Sequence, residues 1–199
     1  MTNLASFTLH SARHHCSKIL DSGLHSFRAT LHTLQITIAV DITSWTLPTS
    51  TLLPNLRHFE VNLNRCSLYP GDGLFNNTLA PFLNARRTTI ESLTVGLYRC
   101  TLIHLSAILD PLDPFPHLAA LSLTQNLPSE FPKVENEAQI VASAIHRFVL
   151  HSAPKRAQLE VDLWPGALAA FASQPFNDSS SQVHSQIQTL KKLGYFEGS

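Results

Sequence analysis

Charge is scarce in this chain. Lysine and arginine number 14, aspartate and glutamate 14, so charged residues fill 14% of the 199 positions and the formal net charge is zero. The usual share is about a quarter. Without a basic surplus there is no electrostatic footprint for nucleic acid or for an anionic membrane, and neither partner is expected. Cysteine is scarce and odd in number, three in all. A disulfide framework is therefore excluded, and an intracellular location, cytoplasm or nucleus, is the expectation. No apolar run approaches the ~18 residues of a membrane span. The opening residues Met1 to Phe7 have neither the basic nor the apolar region of a secretory signal. The sequons at Asn76 and Asn177 accordingly read as chance rather than as glycosylation sites. Also missing are a Gly-x-Ser-x-Gly elbow, a P-loop, a dinucleotide fingerprint and a His-Glu-x-x-His motif. No catalytic residue and no cofactor are expected.

What the chain does have is a phrase, Leu-x-x-Leu-x-Leu, that keeps returning. Clear copies start at Leu31, Leu56, Ile90 and Leu118. A fifth, at Arg156, lacks its first apolar residue, and a faint sixth starts at Leu4. The second apolar residue of each copy serves as an anchor: Phe7, Leu34, Phe59, Leu93, Leu121 and Leu159. The spacings are 27, 25, 34, 28 and 38 residues, so the repeat is long and irregular. Two approaches to the phrase alternate. Leu53-Pro54-Asn55 and Phe115-Pro116-His117 are proline loops, whereas the segments before Leu31, Ile90 and Arg156 read as helix ends. The repeating unit is thus a pair of rungs of about 60 residues.

Within each copy apolar and polar residues alternate, as in a strand with one buried face. Strands that return through helices or loops pair in parallel. Helices are expected over 74–86, 102–109 and 136–151. The expected architecture is α/β: a solenoid with a curved parallel sheet of five to six strands, and helices and loops on the convex side. It should fill residues 1–174. Residues 175–199 read as a polar loop and a capping or linker helix bearing Val183, Ile187, Leu190 and Leu193.

The phrases resemble leucine-rich repeats. Asn64 and Asn126 fall five residues after their anchors, where that family places a backbone-bonding asparagine. Ala12, Ala39, Tyr98 and Trp164 occupy the same place in the other copies, so the ladder is broken. Leu-Pro-Asn-Leu-Arg-His-Phe at 53–59, together with Thr-Ile-Glu-Ser-Leu at 89–93, looks like the degenerate repeats of fungal F-box proteins. That resemblance implies substrate recognition for a ubiquitin-ligase adaptor. The F-box itself is not found in these 199 residues.

In such an arrangement the residues between the apolar positions face outward, and a concave face of this kind commonly binds a protein partner. The candidate partner-binding residues are Thr33, Gln35, His58, Glu60, Asn62, Thr94, Ser122, Thr124, Glu160 and Asp162. His58, Glu60, Glu160 and Asp162 stand out because charge adds selectivity. The competing chemistry is a metal site or an enzyme centre in the histidine-rich segment His10, His14, His15 and Cys16, where an i,i+4 histidine pair suits zinc. No carboxylate lies among these residues to help close it, and no metal is expected. Cys66 and Cys100 share a repeat position; they read as small core residues before they read as a redox pair. Gly71-Asp72-Gly73 reads as a turn, and the loop from Asp110 to Pro114 as a helix stop. A truncated repeat fragment without independent activity is the remaining alternative.

Overall fold

The computed structural model describes residues 4–9, 24–39, 47, 53–64, 75–101, 103–126, 135–152 and 158–163. The histidine-rich segment, Cys66, Gly71–Gly73 and the tail from 175 onward lie outside the described residues. Six strands follow the repeat copies: β1 Ser6–Leu9, β2 Thr33–Ala39, β3 His58–Asn64, β4 Ser92–Tyr98, β5 Ala120–Asn126 and β6 Gln158–Asp162. They form one all-parallel sheet whose spatial order is the chain order, β1 to β6. The register matches the repeat. Phe7 pairs with Leu34, Leu34 with Phe59, Phe59 with Leu93, Leu93 with Leu121, and Leu121 with Leu159.

The helices occupy the expected segments. A π-helical turn, Phe75–Leu79, runs into α1, Ala80–Asn84; α2 spans Ile103–Leu109 and α3 spans Glu135–Ser152. Pro81 sits in the first turn of α1, where its missing N–H costs nothing.

The two approaches to the strand are two distinct turns. In the proline type, the N–H of Leu56 bonds the carbonyl of Leu53, and that of Leu118 bonds Phe115. Leu53 and Phe115 are both buried, so each proline turn drives one large apolar group inward. In the helix type, the N–H groups of Thr30 and Leu31 both bond the carbonyl of Phe27, and those of Thr89 and Ile90 both bond Arg86. The hydroxyls of Thr30 and Thr89 bond the same two carbonyls. Rungs two and four are alike, and rungs three and five are alike.

One contact recurs where β2, β3, β4 and β5 begin. The carbonyl of Ala5 accepts the N–H groups of both His32 and Thr33; that of His32 accepts Arg57 and His58; that of Arg57 accepts Glu91 and Ser92; that of Glu91 accepts Ala119 and Ala120. A carbonyl oxygen has two lone pairs, so one acceptor can serve two donors. Each acceptor lies two residues before its anchor.

The apolar residues of the phrase make one core. Leu34, Ile36, Phe59, Val61, Leu93, Val95, Leu121 and Leu123 are at most 2% exposed. Helices cover that face of the sheet. Phe82 of α1 meets Phe59 with ring centroids 5.3 Å apart, and Phe148 of α3 meets Phe115 edge-on at 5.7 Å. Arg86 is buried beside them. Its guanidinium donates to the Phe82 carbonyl at 2.8 Å and lies 3.9 Å from the Phe82 ring centroid. Desolvation by burial lowers its pKa to about 10.

Two features differ from expectation. The sheet is not strongly curled. Curl in a stacked repeat comes from rotation between successive units. The described returns differ in build: the one before β4 holds α1, and the one before β5 holds both α2 and a proline turn, so no uniform wedge repeats. The asparagine positions also do not carry the bonding between rungs in the expected way. The Cys100 thiol donates to the Leu63 carbonyl at 3.5 Å, and the Gln125 amide donates to the Cys100 carbonyl at 3.1 Å. Cys100 turns inward because Arg99 before it takes a left-handed conformation, φ 55°. Asn126 contributes its backbone carbonyl to the N–H of Arg99.

Leu93 sits at the centre of the anchor row and is fully buried. Leu93→Ala should lower unfolding free energy by about 3 kcal/mol through lost burial and a residual cavity. Urea unfolding measures this, and a loss below about 0.5 kcal/mol, typical of surface sites, would contradict the packing.

Candidate functional site

Because the side-chain period of a strand is two, the same register that buries the anchors sets three rows of side chains on the opposite face. One row runs Ser6, Thr33, His58, Ser92, Ala120, Gln158. The middle row runs Thr8, Gln35, Glu60, Thr94, Ser122, Glu160. The third runs Thr37, Asn62, Gly96, Thr124, Asp162. All ten candidate residues stand in these rows. His58 and Glu160 are exposed; Thr33, Gln35, Glu60, Asn62, Thr94, Ser122, Thr124 and Asp162 are half-buried by their neighbours.

The rows are cross-linked by side-chain hydrogen bonds. The Thr8 hydroxyl donates to Gln35 Oε1 at 3.4 Å, and Gln35 Nε2 donates to Glu60 Oε1 at 2.7 Å. Asn62 Nδ2 donates to the same oxygen at 2.6 Å. Glu60 is therefore held by two amides, and bonds to an ionised acceptor are the stronger kind. On the other flank, the Ser122 hydroxyl donates to Glu160 Oε2 at 3.4 Å. Between the flanks lies a low strip on β4. A Cβ at Gly96 would collide with Asn62 Oδ1 and would lie 3.4 Å from Thr124 Oγ1. Glycine there lets Asn62 lean across and reach Glu60.

Tyr98 belongs to the same face and was not among the residues expected there. It is 43% exposed and pairs in register with Asn64 and Asn126 at the ends of the strands. The signal was present in the sequence, since Tyr98 lies an odd number of residues from the buried anchor Leu93.

A second feature, also unexpected, lies where the strands begin. A groove of about 410 Å³ is lined by Pro54, Arg57, Thr88, Thr89, Glu91, His117 and Ala119. Arg57 Nη1 and Glu91 Oε1 form an ion pair on its wall. Both groups are well exposed, so the pair is screened by solvent and salt.

The remaining candidates that lie among the described residues do not assemble. Among the described residues no group of three or more His, Cys, Asp or Glu side chains could hold a metal ion. Asp110 and Asp113 do not work as a pair: Asp110 meets Arg147 at 3.5 Å and Asp113 meets Arg87 at 3.4 Å. Cys100 is fully buried, with its thiol on the Leu63 carbonyl. Thr78 of the first sequon is 6% exposed. Among the described residues no helix is long and apolar enough to cross a membrane. Comparison with family models, curated proteins and solved structures returns no match.

Gly96→Ala should be coupled to Asn62. In the native background the added methyl must displace the Asn62 amide from Glu60; with Asn62→Ala the methyl is free to stiffen the strand. A double-mutant cycle on unfolding free energy should give a coupling of about 1 kcal/mol. Additive effects would contradict the contact between Asn62 and Gly96.

Proposed function

We propose that this chain is a non-enzymatic scaffold for protein–protein interaction, a leucine-rich-repeat-like solenoid that uses the exposed sheet face as its docking surface. One observation carries the reading: fifteen polar side chains, the ten candidates among them, stand in three in-register rows opposite an apolar core. A polar platform spread over six rungs suits a broad protein contact better than a small molecule, which needs a concave site. The narrower form of the proposal is substrate recognition within an F-box-type ubiquitin-ligase adaptor. It rests on the resemblance of residues 53–59 and 89–93.

Affinity capture with quantitative mass spectrometry tests the docking face. Ser122→Trp places a bulky group in the middle row, and Gln139→Trp places one on the exposed side of α3 as a control. At least one protein held by the native chain and by Gln139→Trp should fall about tenfold with Ser122→Trp, the size of a well-placed interface change. Identical capture by all three proteins would overturn the assignment. For the narrower form, ubiquitin-ligase subunits should co-purify with the full-length polypeptide from its host, and their consistent absence would contradict it.

A further inference from the structure

The docking-face reading leaves the chemistry of the partner open, and the distribution of charge supplies it. The whole chain is balanced, but the exposed face is not. Its rows carry Glu60, Glu160 and Asp162 and contain no lysine or arginine among the described residues. Elsewhere, three carboxylates are matched by arginine: Glu91 with Arg57, Asp113 with Arg87 and Asp110 with Arg147. All three pairs lie off the face. On the face, Glu60 is met by the neutral amides of Gln35 and Asn62, and Glu160 by the hydroxyl of Ser122. Such donors fix a carboxylate without cancelling its charge. Arg99 stands at the margin, beyond the end of β4 and outside the rows.

The spacing is specific. Glu60 on β3 and Glu160 on β6 occupy the same row, three strands apart, which is about 14 Å at the usual strand separation. In an extended segment, side chains four residues apart project on one side about 13 Å from each other.

We propose that the exposed sheet face recognises an extended, lysine- or arginine-bearing segment of a protein partner laid across the strands, with basic side chains four residues apart set against Glu60 and Glu160–Asp162.

Fluorescence anisotropy on the whole chain tests this with three labelled nine-residue peptides: one with arginines four apart, one with the same arginines adjacent, and one with glutamates four apart. The spaced arginine peptide should bind best, and the glutamate peptide should not bind. The double variant Glu60→Gln/Glu160→Gln should weaken the spaced peptide about tenfold, whereas Glu137→Gln on α3 should leave it unchanged. Unchanged circular dichroism and unfolding midpoints keep this loss from being read as unfolding. Equal affinity for the native chain and the double variant would overturn the proposal, as would equal binding of the glutamate peptide. Should the spaced peptide fail to bind while Ser122→Trp still depletes captured proteins, the basic partner is wrong and the docking face stands. Failure of both removes both.

Discussion

One carbonyl per rung, two residues ahead of the buried anchor, accepts two consecutive N–H groups from the next rung. Everything on the exposed face depends on that contact. A parallel strand has no hairpin to set its register, and a slip of one residue would turn every side chain to the wrong side. The paired donors pin β2 to β5 where they begin. The anchors from Phe7 to Leu159 then fall into one inward row, buried from Leu34 on, and the polar residues between them fall into three rows on the opposite face. Backbone geometry thus places Glu60 beside Gln35 and Thr94.

The covering side is less uniform than the strands. A proline turn that buries Leu53 or Phe115 alternates with a helical turn that closes on Phe27 or Arg86. The long helix α3 packs Phe148 against Phe115, and α1 packs Phe82 against Phe59. Each proline turn therefore supplies an apolar group to a core whose other wall is helical. A parallel sheet must bury the face its crossovers cover. The chain meets that need with returns of unequal build, and the sheet is not strongly curled.

The strands were legible because period-two alternation and a fixed internal phrase are strong signals together. Ile36, Val61, Val95 and Leu123 sit where the phrase puts them, and so do the polar residues opposite. The helices at 102–109 and 136–151 were legible for the same kind of reason. Other features were not. The role of Gly96 depends on an Asn62 side chain that leans over from another strand, which no local pattern encodes. The groove at Arg57 and Glu91 joins residues 34 positions apart through a register that had to be known first. The bridging by Cys100 and Gln125 replaces an asparagine ladder, and only the left-handed turn at Arg99 explains why the thiol points inward.

The central claim is the register, and engineered cysteine pairs measure it directly. Neighbouring parallel strands put facing Cα atoms about 4.8 Å apart, inside the disulfide window, whereas a two-residue offset opens the gap to about 8 Å. With linkage mapped by mass spectrometry after mild oxidation, Thr94→Cys should join to Ser122→Cys and not to Ala120→Cys or Thr124→Cys. A dominant cross-link to either offset position would contradict the in-register sheet, and with it the face on which the proposed function rests.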